Sequence, residues 1–159
     1  MTYVVDASVV IKWLVREEGS EQAARLMTRP VAAPELLIPE CVNALWSKVV
    51  RGMLLESDAE IGARVLRTSG IALEPMQPLA ADILDLSLRL KHSAYDCTYL
   101  ALARSLDGVL VTADRRLLAR CMRPDAADLA GHVRSLDEVG YAAQEPRPRK
   151  YGYRVRPAA

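Results

Sequence analysis

Four carboxylates, Asp6, Glu40, Asp96 and Asp114, each fall at an element boundary, after an apolar run or at the start of a helix. Brought together they would repel one another and bind protons more tightly unless positive charge entered between them. A divalent cation is the economical counter-charge, and an all-oxygen, water-retaining donor set suits Mg²⁺ or Mn²⁺ better than zinc. Such an ion can position a water, lower its pKa and stabilise charge developing on a phosphoryl oxygen, so these residue types could hydrolyse a phosphodiester. Each acid also has a plainer reading: Asp96 and Asp114 as helix caps, Glu40 as an acid favoured by the helix dipole.

The elements that must position these groups can be read along the chain. His92–Asp114 carries two of the acids: a helix starts near Ala94 with Asp96 in its first turn, and no Gly or Pro interrupts Tyr95 to Ser105. A turn at Asp107–Gly108 leads into the apolar strand Val109–Thr112, of the kind covered on both faces in a parallel sheet, and Asp114 stands just past its end. In open α/β sheets, reactive groups collect beyond the carboxyl ends of such strands. Upstream, Thr2–Asp6 reads as a strand feeding a helical segment Val9–Val15, with Ser8 able to cap it or to orient a neighbouring carboxylate. Glu17–Arg29 reads as a helix ended by Pro30, and Leu36–Ile38 as a buried strand leading to Pro39, which can launch a helix bearing Glu40 and, on nearly the same face, Asn43.

Further helices are expected over Glu56–Thr68, capped by Ser57 or Asp58, over Pro78–Leu90 and over Arg115–Cys121. Short strands are expected at Ile71–Leu73 and, as a late edge, at His132–Leu136, followed by a cap or turn at residues 137–140. Alternating strands and helices without internal repeats favour a single α/β sandwich with right-handed parallel connections.

Composition sets the outer bounds. A chain of 159 residues with 51% hydrophobic and 26% charged residues can bury one proper core and is not a disordered polymer. Cys41, Cys97 and Cys121 lack metal-ligand spacing, and His92 and His132 form no HExxH pattern, which makes a zinc site a poor fit. Asp6 arrives too early for a secretory apolar region and no apolar run reaches spanning length, so cytoplasmic residence is the default expectation, without a membrane partner. The net charge of +1 is uneven: from Glu145 onward Arg147, Arg149, Lys150, Arg154 and Arg156 face one acid, a net +4 that leaves −3 on the preceding residues. A domain over residues 1–144 and a basic tail over 145–159 follow; the tail, interleaved with Tyr151 and Tyr153, can reach a phosphate backbone or serve as a solubilising terminus.

Four segments together resemble a known family. Val4-Val-Asp6-Ala-Ser8, Pro39-Glu40-Cys-Val-Asn43-Ala-Leu-Trp46, Tyr95-Asp96-Cys-Thr-Tyr-Leu-Ala-Leu-Ala103 and Leu110-Val-Thr-Ala-Asp114 are similar, in order and spacing, to the PIN-domain ribonucleases, especially the VapC toxins of toxin–antitoxin pairs. The last two segments are quite specific; Asp6-Ala-Ser8 alone is weak. The resemblance implies a three-layer α/β/α sandwich with a mostly parallel sheet. It implies that Asp6, Glu40, Asp96 and Asp114 are the catalytic, metal-binding acids, with Ser8, Asn43 and Thr112 as polar helpers. It further implies Mg²⁺- or Mn²⁺-dependent cleavage of an RNA substrate, a homodimer, and a cognate antitoxin through which DNA is met only indirectly. Arg115, Arg116 and the cations of the tail are candidates for RNA phosphates, since a guanidinium fork fits them.

Other accounts explain less. A phosphatase with an aspartyl nucleophile would carry a second Asp where Ser8 stands, and a dinucleotide oxidoreductase would need GxGxxG after the first strand, where this chain has Asp6-Ala-Ser8. A regulatory domain that binds metal or RNA without turnover is the non-enzymatic alternative.

Overall fold

The computed structural model describes residues 1–141. Five short parallel strands, β1 (Tyr3–Val5), β2 (Val31–Pro34), β3 (Ala72–Glu74), β4 (Val109–Thr112) and β5 (Val133–Ser135), form one sheet in the order β3-β2-β1-β4-β5. The central strand β1 pairs on one side with β2, Val4 beside Ala32, and on the other with β4, Val4 beside Leu110. After β1 the chain winds outward to β2 and β3; after β4 it winds the opposite way to β5. The seam between β1 and β4 is therefore the point where the winding direction reverses, and a crevice opens there at the carboxyl ends of the strands.

Helices cover both faces, giving the three-layer α/β/α sandwich expected. On one side α1 (Ala7–Leu14) packs with α2 (Ser20–Ala24), α3 (Leu37–Val50) and α4 (Glu56–Arg67); elsewhere α5 (Ala80–Leu90) packs on α6 (Ala94–Ser105). α7 (Arg115–Cys121) links β4 to the last strand, and α8 (Leu136–Tyr141) closes the described chain. α6 is buried continuously from Cys97 to Ala103, the mark of a helix enclosed on all sides. Val4, Val5, Leu100, Leu110 and Val111 are fully buried beside it, each large aliphatic side chain contributing roughly 1.5–3 kcal/mol. All three cysteines are buried and free.

The strand expected at Leu36–Ile38 is corrected. Leu37 begins α3 instead, and the strand is Val31-Ala-Ala-Pro34, every residue of it buried. Small side chains let β2 lie under closely packed helices, and Pro34 is the last strand residue, where the following Glu35 N–H takes over pairing to Glu74 O at 3.1 Å. A three-residue apolar run has no period to separate strand from buried helix, and Leu37 is a fully buried helical residue. The Glu17–Arg29 helix is also divided, into α2 and a 3₁₀ turn at Arg25–Thr28. Ser57 and Asp58 lie inside the first turn of α4 rather than capping it.

Gly108 is required by close approach. A Cβ there would lie 2.5 Å from the backbone oxygen of Thr2, the group that accepts the Val109 N–H at 3.0 Å where β4 joins β1. Gly108→Ala must push the two strand starts apart, and we expect a loss of about 1–3 kcal/mol, the usual cost of overpacking. Urea unfolding would read it as a lower midpoint; an unchanged midpoint would show that this junction yields freely.

Candidate metal centre

All four acids stand at helix starts on the carboxyl side of the sheet. Asp6 follows β1 directly and caps α1: its Oδ1 accepts the Val9 N–H at 3.1 Å and the Ser8 hydroxyl at 2.5 Å. The capping role that Ser8 could have taken thus belongs to Asp6, and Ser8 has the other role open to it, holding a carboxylate. Ser8 Oγ also accepts the Ala113 N–H at 2.9 Å and lies 3.5 Å from Thr112 Oγ1, so it ties Asp6 to the end of β4. Thr112 is fully buried and accepts the Asp114 N–H at 2.9 Å.

Asp114 caps α7 through Oδ1, which accepts the Arg116 and Leu117 N–H groups at 2.8 and 3.3 Å. Its Oδ2 remains turned toward the crevice, 3.9 Å from His92 Nε2. The capping and chemical readings of this residue are therefore compatible, one oxygen serving each. Asp96 is not a cap, because Ser93 Oγ performs that service for α6 by accepting the Tyr95 N–H at 3.2 Å. Glu40 lies in the first turn of α3, and its Oε2 accepts the Tyr99 hydroxyl at 2.5 Å, a bond that fastens α3 to the buried α6. Asn43 is exposed on α3, three residues beyond Glu40.

The electrostatics tie the acids together. Burial pushes the Asp6 carboxyl up to about 6, opposed by the bonds from Ser8, Thr112 and Val9, and the charge of Asp96 adds to the rise. Burial raises Glu40 as well, opposed by the Tyr99 hydroxyl and reinforced by Asp96. Asp96 is itself raised by burial and by Asp114, with His92 pulling the other way. Asp96 is thus the hub: it feels or repels each of the other three carboxylates.

His92 reads in the sequence as an isolated histidine, and the structure corrects that. Its Nε2 lies 3.0 Å from Asp96 Oδ2, and the ligand atoms of His92, Asp96 and Asp114 all lie within 4.8 Å of one another. The signal for it is closeness in sequence, four residues before Asp96 and just ahead of the Ser93 cap of α6. Although near both carboxylates, Nε2 is buried without a hydrogen-bond partner, since closeness here lacks the alignment of a donor with its acceptor. Crowded carboxylates with raised proton affinity and a buried, unsatisfied nitrogen facing them are a donor set that a divalent ion fits.

Around this centre lies an open cleft of about 810 Å³, lined by His92, Asp96 and Asp114 together with Lys91, Arg116 and Arg120. None of these three cations forms an ion pair among the described residues. Arg115 points elsewhere, into a neighbouring pocket of about 250 Å³ shared with Lys12 and Asp137. Arg147, Arg149, Lys150, Arg154 and Arg156 lie outside the described residues.

The PIN-domain family model matches residues 3–121, three quarters of the chain and all of the elements that carry the acids. The chain belongs to the PIN-domain family. Among its PIN-domain relatives, Ribonuclease VapC3 of Pyrobaculum aerophilum is 37% identical over 122 residues, covering 74% of this chain and 92% of that one. A crystal structure of a Pyrobaculum aerophilum protein superposes with a TM-score of 0.68 at 25% identity, covering 91% of each chain. A toxin–antitoxin complex from Klebsiella pneumoniae has the same PIN fold, with a TM-score of 0.54 at 16% identity over 84% of this chain and 97% of that one. No helix among the described residues is long and apolar enough to cross a membrane.

Proposed function

We propose that this PIN domain is a Mg²⁺- or Mn²⁺-dependent endoribonuclease acting as the toxin of a toxin–antitoxin pair. The observation that carries the reading is the meeting of His92, Asp96 and Asp114 in one cleft, their ligand atoms within 4.8 Å of one another, with Asp6 and Glu40 near enough to respond to the charge of Asp96. The ribonuclease name of the VapC3 relative supports the substrate class. Asp6, Glu40, Asp96 and Asp114 would hold the ion, which when bound supplies an activated water and stabilises charge on the phosphate.

The chain's own groups do the rest. Ser8 and Thr112 fix the Asp6 carboxylate and the entry to Asp114, and the Tyr99 hydroxyl fixes Glu40, so these three acids are held in place before any ligand arrives. Asn43 stands one turn from Glu40 as a polar helper at the exposed side. Lys91, Arg116 and Arg120 line the approach and offer donors to the phosphates flanking the cut. Arg115, in the neighbouring pocket, and the cations of residues 145–159, outside the described residues, are further candidates for the RNA footprint.

The test is cleavage of total RNA, with new 5′ ends read by sequencing, in Mg²⁺, in Mn²⁺ and in excess chelator. Metal-dependent ends at defined positions are expected; binding of RNA with no new ends under any condition would favour the non-catalytic regulatory domain instead. Replacing Lys91, Arg116 or Arg120 by Ala should lower RNA affinity and reduce the slope of log affinity against log salt by about 0.7 for each phosphate no longer neutralised. Unchanged slopes would remove that residue from the footprint.

For partners, the reading includes a homodimer and an antitoxin that covers apolar helical surface. Val42, Trp46, Val50, Leu55 and Ile61 are exposed on and around α3 and α4, beside a largely apolar groove of about 530 Å³. The toxin–antitoxin complex with the same fold gives the kind of partner such a face would take. Light scattering of the purified chain, alone and co-expressed with the product of the adjacent reading frame, reads both; a monomer whose nuclease activity that product leaves unchanged would count against them.

A further inference from the structure

Within the reading of a metal-dependent nuclease, on which the following rests, one group in the centre lacks a role. His92 is held by its backbone, whose N–H donates to Ser87 O at 3.2 Å at the end of α5, and by the short link Lys91–Ser93 into α6. Lys91 there adopts a left-handed backbone with φ of 50°, which turns the chain sharply and delivers the imidazole into the cleft. The side chain is only 12% exposed, and its Nε2, though 3.0 Å from Asp96 Oδ2, makes no hydrogen bond of regular geometry. A buried nitrogen in so imperfect a contact has a better partner to gain.

The distances suggest which partner. Two neighbouring ligands of an octahedral ion with bonds of about 2.1 Å stand about 3.0 Å apart, and two opposite ones about 4.2 Å. His92 Nε2 is 3.0 Å from Asp96 Oδ2 and 3.9 Å from Asp114 Oδ2, within the span that one ion bridges. We propose that His92 is a nitrogen ligand of the ion held by Asp96 and Asp114, and that it makes the centre select Mn²⁺ over Mg²⁺. Mg²⁺ demands a near-ideal octahedron of oxygens and gives up its waters reluctantly, whereas Mn²⁺, though the weakest of the first-row series and also served by carboxylates, belongs to the series that nitrogen ligands bind, so one nitrogen weighs against Mg²⁺ more than against Mn²⁺. The rival role for His92 is that of a simple counter-charge, which an arriving ion would displace; it predicts no bond between nitrogen and metal.

The experiment uses the full, tag-free chain loaded with Mn²⁺ and read by electron spin-echo modulation. A ¹⁴N modulation is expected in the wild type, changed by ¹⁵N-histidine labelling, retained in His132→Gln and absent in His92→Leu. In parallel, calorimetric titration with Mn²⁺ and with Mg²⁺ should show His92→Leu losing about 10-fold or more in Mn²⁺ affinity, the usual effect of perturbing such a site, and less than about threefold in Mg²⁺ affinity. His92→Asn, which restores an oxygen donor, should bring the two affinities closer together than in the wild type. Absence of nitrogen modulation in wild type that binds Mn²⁺ in an Asp96-dependent manner would overturn the role of His92 and leave the nuclease reading standing. Mn²⁺ binding that Asp96→Asn leaves unchanged would instead overturn the centre itself.

Discussion

Asp96→Asn is expected to lower metal-dependent RNA cleavage by about 10²- to 10³-fold, the equivalent of about 3–4 kcal/mol of lost transition-state stabilisation. Asp96 touches the problem from every side, since its charge acts on Asp6 and Glu40, its own carboxyl responds to Asp114, and its Oδ2 meets His92 at 3.0 Å. An amide keeps the shape and removes the charge that draws in the ion. The fold should survive, because the cap of α6 is Ser93 and the substitution relieves repulsion rather than breaking a support. Cleavage rates and urea unfolding measured on the same preparation separate the two effects. Turnover within about threefold of the wild type, at matched metal concentration, would sink the assignment.

Asp6→Asn should raise the stability of the metal-free protein. The Asp6 carboxyl is buried, and its pKa is pushed up from 3.8 to about 6, so at neutral pH the metal-free fold carries an ionised group that burial disfavours. A displacement of about two pH units corresponds to about 3 kcal/mol, an upper bound for the gain when the charge is removed. The replacement amide still offers an oxygen to Val9 N–H and the Ser8 hydroxyl, so we expect a net gain of about 1–3 kcal/mol at pH 7 without metal. Between pH 3.8 and about 6 the folded protein holds a proton that the unfolded chain has released. The wild type therefore has the full benefit of that proton below pH 3.8 and loses it as the pH rises through about 6. The two proteins should accordingly converge in stability near pH 4 and diverge toward pH 7, while Mn²⁺ should stabilise the wild type more than the variant. Chemical denaturation across that range reads the difference; a wild type more stable than the variant at pH 7 without metal would contradict this expectation. Glu17 works in the other direction and must be kept common to both proteins: burial raises it, but Lys48 and Lys12, at 2.8 and 3.0 Å, hold it below its usual value.

The parts of this protein legible in the sequence are those where one physical signal dominates. Val109–Thr112 is an unbroken apolar run after Asp107–Gly108, and the structure has β4 over those residues; Arg115–Cys121 likewise is α7. Ala94 opens α6 because Ser93 can cap it and nothing to Ser105 interrupts it. β2 is hidden because Val31-Ala-Ala-Pro34 has little β propensity, and its strand character comes from neighbours on both sides, β1 and β3. The positions of the four acids at element ends are visible, since each precedes or opens a helix. The meeting of Asp96 with Asp114 depends on how α6 packs on β4, which local periodicity does not encode. His92 is hidden for the same reason in smaller form: its spacing to Asp96 is local, but its approach to Asp114 needs α6 to fold back along β4.

The pairing of Tyr3 with Val109 has a consequence for the birth of the protein. The first strand waits for a companion that the ribosome delivers only about a hundred residues later, and Asp114 follows later still. A polypeptide that stops before Val109 holds three of the four acids but neither the middle of the sheet nor the last carboxylate, so it should show no metal-dependent cleavage. Joining such remote stretches also slows maturation, because loop closure must precede the contacts that reward it. On the toxin reading proposed above, that delay is an interval in which a neutralising partner translated alongside would meet the chain first.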